Sequence, residues 1–575
     1  MRIGLVYPPS KWRNNECFTL PNASLPVLAD RLRRAGHEAV FFDFDIGAHR
    51  LLRDPSLADG LSTLTDPSKV LPYLSGDCPP RTARRLRAVT TRIMGSVRLT
   101  RCDLFGITLA DLWMTQGQFL LNSAALIAHE IKARFGAPVV LGNGSLPRQV
   151  YREILEKYPC FDYAVWAHPG EHSLLRLAQR LDGSRVRLIQ TLARDGAALR
   201  AHAGRLPDGP CFGPDFSGYP LGKYRVPPER LLRSYDAEPR LVRPLLTAAA
   251  RRRSQLIVPY RFESICRGRC AFCENDARVP SDCKGIDRIL EDLSLPKRLG
   301  VTGVYFTNPN FNNRYAFASE LCDRMIEARL GLQWSDCANF RELDEDLLRR
   351  MREAGAVKLV FGLETASDRL LRYIRKGITR TRVERYLRLS HELGIWNHIE
   401  LIGGLTTETD DDIRQTADFI RANAPYIDTY ALNPFYLYRS APFCLEAGRF
   451  GLRLLRRNPR AEDLLGTRDP IIGNVSERFA EIGGLGWEEK DAQIKRSTRI
   501  VAETIAEVSS FGAIDQDHIH LLMFLYARFG HARKGTIRAV FRRATRRFMP
   551  YNLDQFLLCT GFYKQDYRRV AGGVS

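Results

Sequence analysis

Three cysteines crowd into one short run, Glu263-Ser-Ile-Cys-Arg-Gly-Arg-Cys-Ala-Phe-Cys-Glu274, at a C-x3-C-x2-C spacing. Three thiolates this close can ligate three irons of a cubane iron–sulfur cluster, because thiolate is the soft donor such clusters take. The fourth iron is then open to a small-molecule ligand and can pass it an electron. A zinc site draws on four ligands in two spaced pairs, and no second pair stands near Cys266, Cys270 and Cys273. The chemistry to expect from this loop is therefore reductive.

Such a loop has to be held at the end of a strand. The apolar run Leu256–Tyr260 leads directly into it, and further strands are expected at Gly303–Phe306, Leu332–Ser335, Lys358–Gly362, His398–Ile402 and Thr429–Pro434, with helices between. Six such units predict a partial parallel β/α barrel over 251–450, active at its strand C-termini. Upstream, residues 1–183 alternate strands (Ile3–Tyr7, Ala39–Phe44, Leu104–Thr108, Pro138–Leu141, Phe161–Trp166) with helices (Leu25–Arg34, Gln118–Phe135, Leu146–Tyr158, Glu171–Leu181). That succession predicts a doubly wound, Rossmann-like parallel sheet, which takes its ligands at the carboxyl ends of the strands. Residues 184–250, rich in Pro, Gly and Arg, read as a linker, and 451–575 as a helical, basic C-terminal domain. The fold class is thus α/β throughout, with a helical end.

The chain of 575 residues is long enough for two to four domains and a large core. It has no apolar stretch of membrane-spanning length, and its first residues read as a strand rather than a signal peptide. Thirteen cysteines without a regular framework point to a reducing, cytoplasmic setting. The net charge of +21 is concentrated in Arg81–Arg101, with seven arginines and no acid, and beyond Arg528. It comes from arginine far more than lysine, 13 lysines among 86 basic residues, as a GC-rich genome produces without any polyanion partner; nucleic acid is not the expected partner. Arg542, Arg543, Arg546 and Arg547 could dock an acidic peptide precursor or a carrier-bound intermediate, or form a solvated face.

The cysteine spacing, with an aromatic residue just before the third cysteine, resembles the radical S-adenosylmethionine (SAM) superfamily, and the resemblance extends over about 200 residues in the order of the expected strand ends. Phe272 stands where the family packs an aromatic residue against adenine. Val304-Tyr-Phe-Thr-Asn-Pro-Asn-Phe-Asn312 resembles the family's Asp-Asp-x-Phe strand end, with Asn308 and Pro309 in place of the acids. Phe361-Gly-Leu-Glu364 resembles its Gly-x-Glu, whose carboxylate accepts ribose hydroxyls or the methionyl ammonium, and Lys376-Gly377 follows at the usual remove. Gly403-Gly404-Leu-Thr-Thr-Glu-Thr409 resembles Gly-Leu-Pro-Gly-Glu-Thr. The resemblance implies a 4Fe–4S cluster on Cys266, Cys270 and Cys273, and SAM contacts from Phe272, Asn308, Asn310, Glu364 and Gly404. Arg341 is either a reach to the SAM carboxylate or a surface arginine.

Residues 1–182 resemble the cobalamin-binding domain that precedes the barrel in one large radical SAM subclass. Leu141-Gly-Asn-Gly144 stands where that subclass has a Gly-Gly pair, and Pro169-Gly-Glu-His172 where it has Gly-Glu before a helix. Small residues there let a corrin approach backbone amides. The resemblance assigns cobalamin contacts to Thr108, Leu109, Gly142, Asn143, Gly144, Gly170 and Glu171. The Asp-x-His-x-x-Gly motif that ligates cobalt in the wider cobalamin family is absent, and His129, His168 and His172 read as structural or surface residues. A degenerate domain kept for docking is the competing reading.

Taken together, the resemblance implies a cobalamin-dependent radical SAM enzyme, a C-methyltransferase acting on an unactivated carbon of a specialised-metabolite or peptide precursor. Its partners would be a small-molecule, carrier-bound or peptide substrate and an external flavodoxin- or ferredoxin-type electron donor. Two alternatives stand beside it: a cobalamin enzyme that cyclises, rearranges or oxidises, and a methylthiotransferase-like enzyme modifying tRNA. Cys17, Cys78, Cys102 and Cys160 do not reproduce the additional cluster motif of the last group.

Overall fold

Alternation of short apolar strands with amphipathic helices is realised twice, once in each half of the chain. The computed structural model describes residues 1–10, 18–49, 51, 54–109, 117–142, 148–167, 170–206, 213–235, 240, 244–245, 254–273, 283–455, 476–508 and 518–545. The chain divides into a first unit (Met1–Asn14, Pro21–Tyr224, Asn458–Asn474) and a second (Asn15–Leu20, Arg225–Arg457, Val475–Ser575).

In the first unit, strands β1 (Arg2–Tyr7), β2 (Glu38–Asp43), β3 (Leu104–Thr108), β4 (Val139–Gly142) and β5 (Tyr163–Val165) pair in parallel, and β6 (Thr191–Asp195) and β7 (Ala198–His202) add an antiparallel edge. The order β2-β1-β3-β4-β5-β6-β7 places the topological switch between β1 and β3. Val6, Phe105 and Ile107 are buried in one apolar cluster with helix residues Phe119, Ala124, Ile127 and Ile131, as parallel strands covered by helices must be.

One sequence expectation is corrected in this unit. The segment 184–250 is not simply a linker: β6 and β7 lie inside it, joined by the two-residue turn Gly196-Ala197 with Gly196 at φ 59°. Glycine at the first central position suits the primed turns that match strand twist. The arginine-rich stretch before β3 is helical, with helices Phe44–Ala48, Ala58–Leu64, Pro67–Ser75 and Pro80–Gly95. The last of these buries Leu86, Val89, Ile93 and Met94 and leaves Arg81, Arg84, Arg87 and Arg92 exposed.

The second unit carries six parallel strands in sequence order: β8 (Ile257–Tyr260), β9 (Gly303–Phe306), β10 (Gln333–Ala338), β11 (Ala356–Glu364), β12 (Trp396–Gly403) and β13 (Thr429–Pro434). Its interior is aromatic, with Phe311 stacked on Trp334 at 4.3 Å and Phe340 on Phe361 at 4.4 Å. Helices start on their caps just beyond the strands. Thr409 and Asp412 form a reciprocal capping box for Asp410–Asn423, and Ser367 caps Asp368–Tyr373. The part expected to be mostly helical, 451–575, also contains Ser476–Glu477, paired antiparallel with Leu437–Tyr438, and the antiparallel pair Leu452–Leu454 with Phe479–Glu481. Helices Trp487–Val508, Ile519–Phe529 and Lys534–Thr545 follow. Arg542 and Arg543 lie on the last; Arg546 and Arg547 lie outside the described residues. No helix among the described residues is long and apolar enough to cross a membrane.

Candidate active site

The cysteine loop leaves β8 and is tied down residue by residue from β9 and β10. The Asn308 side chain accepts from the backbone N–H groups of Phe262 and Glu263 at 2.9 and 3.1 Å, and its own amide donates to Asp336 at 2.7 Å. Asn313 accepts from Arg267 N at 2.8 Å and donates to Ile265 O at 2.7 Å. Both donor and acceptor of these amides are thus engaged in shaping the loop. Burial pushes the Asp336 carboxyl well above the ordinary range, against the pull of Asn308 and the Cys337 N–H. Further along, Ala271 N donates to Ile374 O and Phe443 N to Ala271 O, each at 2.8 Å.

Cys266 Sγ accepts from Gly268 N at 3.3 Å and from Asn310 Nδ2 at 3.2 Å, the N–H surroundings that a thiolate ligand wants. Space at Gly268 is tight, since a Cβ there would lie 3.1 Å from the Arg341 guanidinium and 3.2 Å from Cys266 Sγ. That places Arg341 at the loop. Burial raises the Cys270 thiol; Lys376 pulls it down, Glu364 and Cys266 push it up, and Arg341 pulls it down. Among the described residues no three His, Cys, Asp or Glu side chains converge as a set that could hold a metal ion. The fit of a cluster therefore rests on loop chemistry: three soft thiols, N–H donors on Cys266, and cationic groups nearby.

At the end of β11 the ladder to β12 shifts register between Gly362 and Glu364, and Glu364 takes φ 68°. A non-glycine residue in that region costs about 1–3 kcal/mol and persists only where its surroundings hold it. What fixes it is Lys376, whose Nζ lies 2.7 Å from Glu364 Oε1 and 5.6 Å from the centre of the Phe272 ring. Burial works against the Lys376 ammonium, but Glu364 and Cys270 outweigh it and hold the lysine above its ordinary range. A Cβ on Gly362 would meet Glu364 Oε1 at 2.5 Å and Lys376 Nζ at 2.8 Å, so glycine makes room for the pair.

Gly404 lies at φ 82° under the helix Trp487–Val508, where a Cβ would come within 2.4 Å of the Ile494 backbone. Its N–H donates to Glu408 at 3.0 Å. The structure thus brings Phe272, Asn310, Arg341 and Glu364 around the cysteines, engages Asn308 in the loop itself, and packs Gly404 against a helix. Sequence reasoning gave no role to Asn313 or Gly268 and only noted Lys376. The signal available was the density of Asn around Asn310 and the Lys-Gly after the strand.

In the first unit, Thr108 and Leu109 are buried at the end of β3, and Leu109 N donates to Gly142 O at 2.9 Å. Among the described residues, nothing lies within 4 Å of where a Gly142 Cβ would be. Gly170 precedes the helix Glu171–Leu181; Asn143, Gly144 and His168 lie outside the described residues. Burial first, then Arg31 and Arg176, lower His172. An unforeseen network closes β2: Tyr219 and Tyr224 each donate to Asp43 at 2.6 Å, and Ser10 donates through N–H and hydroxyl to Asp45.

Comparison with known proteins agrees with this architecture. Residues 260–420 match the family model of the radical SAM superfamily. An uncharacterized methyltransferase of Pyrococcus horikoshii is 26% identical over 159 residues, 27% of this chain and 35% of that relative. An anaerobic magnesium-protoporphyrin IX monomethyl ester cyclase of Rubrivivax gelatinosus is 26% identical over 174 residues, 29% of this chain and 31% of its own length. The chain thus spans about a third of each of these relatives. Among solved structures, the radical SAM methyltransferase TsrM of Kitasatospora setae, with cobalamin and a 4Fe–4S cluster bound, matches at TM-score 0.58 and 15% identity over 95% of this chain and 99% of that one. The cobalamin-dependent SAM radical enzyme OxsB, with aqua-cobalamin and SAM bound, matches at TM-score 0.56 and 13% identity, covering 99% and 80%. The cysteine loop at the head of the six-strand parallel sheet thus lies within the part of the chain, residues 260–420, that matches the radical SAM superfamily.

Proposed function

We propose that this chain is a cobalamin-dependent radical SAM enzyme that methylates an unactivated carbon of a specialised-metabolite or peptide precursor. The observation that carries the proposal is one chain holding both a radical SAM cysteine loop, with the Glu364–Lys376 pair beside it, and a doubly wound sheet with its switch between β1 and β3. The likeness of fold to TsrM and OxsB, and the methyltransferase name of the Pyrococcus relative, support the same reading. Cys266, Cys270 and Cys273 would hold the cluster, and Asn310 and the Gly268 N–H would temper the charge on Cys266. Glu364 would take donors of SAM, Arg341 its carboxylate, and Phe272 would offer a flat apolar face to adenine. Thr108, Leu109, Gly142, Gly170 and Glu171, with Asn143 and Gly144 beside them in sequence, would line a corrin at the strand ends, where doubly wound sheets take ligands. When bound, the cluster supplies an electron and the corrin a carrier for methyl, while the protein orients and excludes water. The small-molecule, carrier-bound or peptide substrate and the flavodoxin- or ferredoxin-type donor complete the proposal.

The test is anaerobic reconstitution with iron, sulfide and hydroxocobalamin, then SAM and reductant. Iron and corrin should both travel with the protein on gel filtration. SAM should yield S-adenosylhomocysteine as well as 5′-deoxyadenosine, since methyl transfer consumes SAM in two ways. Deoxyadenosine with no S-adenosylhomocysteine would replace methylation by cyclisation or oxidation; no corrin retention would sink the cobalamin reading.

A further inference from the structure

We propose that Lys376 is a positioning residue that couples the SAM-holding carboxylate to the cluster, its ammonium shared between Glu364 and the sulfurs of Cys270 and Cys273. The inference rests on the radical SAM reading above, which notes Lys376 as the partner of Glu364 but gives it no role of its own.

The local backbone is built around this one ammonium. Lys376 is flanked on each side by a residue in the left-handed region, Arg375 at φ 56° and Gly377 at φ 70°, where a non-glycine residue such as Arg375 is uncommon. A Cβ on Gly377 would come within 2.7 Å of Arg341 Cδ, so this turn also packs on the arginine beside the loop. Two residues before Lys376, Ile374 O accepts from Ala271 N at 2.8 Å, which fastens the lysine segment to the middle of the cysteine loop. The partner is equally constrained: Glu364 leaves a shifted strand at φ 68°, and Gly362 leaves the space that both head groups fill. The lysine side chain is 15% exposed and the glutamate 8%, so water screens the pair little.

The Lys376 Nζ stands 5.6 Å from the ring of Phe272, the residue before Cys273; a fixed cation there would stabilise the electron-rich state of a cluster on the loop, since cluster potentials respond to nearby charge and to hydrogen bonds on sulfur. The same cation holds Glu364 in one orientation, ready for donors of SAM. Partners of this kind, one step removed from a metal ligand or substrate, change affinity or activity by about 10–100-fold when removed. A merely structural ion pair would alter melting and nothing else.

The experiment compares the wild type with Lys376→Gln and Lys376→Arg after reconstitution. Glutamine keeps a donor toward Glu364 without the charge, so the fold is retained where an apolar residue would leave the carboxylate unpaired. The expected result for Lys376→Gln is wild-type iron content, a cluster midpoint potential shifted negative, and a KM for SAM raised about tenfold, with Lys376→Arg restoring both. A midpoint potential and KM equal to wild type in Lys376→Gln would overturn the inference while leaving the radical SAM reading intact. A wild-type chain that takes up no cluster would overturn both. If Lys376→Gln does not fold, Lys376→Arg decides: an unchanged potential with unchanged KM supports a charge role, and loss of both despite a retained cation overturns it.

Discussion

The two ends of the six-strand barrel each bury a carboxylate against lysine, and the contrast between them separates chemistry from architecture. At the C-terminal end, Glu364 meets Lys376 beside the cysteine loop on a backbone forced to positive φ. At the N-terminal end, Asp428, just before β13, meets Lys534 at 2.8 Å and Arg538 at 3.0 Å from the last described helix, and also accepts from Asn397 N at 2.7 Å. Its carboxylate is fully buried on ordinary backbone, and Lys534 further donates to Ile395 O. Nearby, Tyr526 donates to Gly394 O and His531 contacts Ala356 O. Every partner there is a strand start or a helix that closes the barrel. Strain with thiols close by marks the proposed functional end, and ion pairing on unstrained backbone marks the structural one.

Removing Cys270 is the strongest challenge to that division. Cys270→Ala should abolish iron retention after reconstitution and all SAM cleavage, while thermal melting of the metal-free protein stays near wild type. Retained full activity would end the cluster assignment. Next, Glu364→Gln should lower SAM cleavage by about 100-fold, with iron retention after reconstitution kept. Asp428→Asn should invert the pattern. Two cations would be left against a neutral amide, and breaking a buried pair costs about 3–5 kcal/mol, read as a lower urea midpoint with unchanged turnover per folded molecule. Should Asp428→Asn lower turnover while stability holds, the assignment of the two ends would be wrong.

How far the sequence disclosed this division differs from residue to residue. Strands Gly303–Phe306 and Thr429–Pro434 were expected at their observed limits, because short apolar runs bounded by glycine, proline or polar residues leave little choice of register. β11 extends further at both ends than its apolar core, from Ala356 to Glu364, since pairing with β10 and β12 rather than composition sets its length. The hairpin at 191–202 carries Arg194, Asp195 and Arg200 and follows an arginine-rich stretch. Its place comes from pairing with β5, which no local pattern announces. Asn308 was legible as a motif position, but its hydrogen bonds to Phe262 and Glu263 span about 46 residues and belong to tertiary structure. Lys376 was visible only as a neighbour of glycine, because its pairing with Glu364 belongs to tertiary structure.

A third buried carboxylate sharpens the comparison, because it lies at the functional end yet is packed like the structural one. Glu408 follows β12 and accepts from Gly404 N, beneath the helix that brings Lys490 and Ser497. Burial is the largest influence on it and raises its pKa to about 7, against the pull of Ser497 and Lys490. A carboxyl that binds its proton more tightly folded than unfolded favours the fold at low pH. That contribution is present below the unfolded value near 4.5 and is lost as pH rises through about 7. Wild-type stability should therefore fall between about pH 5 and pH 8 by no more than about 3 kcal/mol from this group. Glu408→Gln should flatten that slope, so that urea midpoints of variant and wild type draw together or cross as pH rises, with SAM cleavage moved less than by Glu364→Gln. Parallel pH profiles for the two proteins would mean that Glu408 stays ionised throughout, paired as firmly as Asp428.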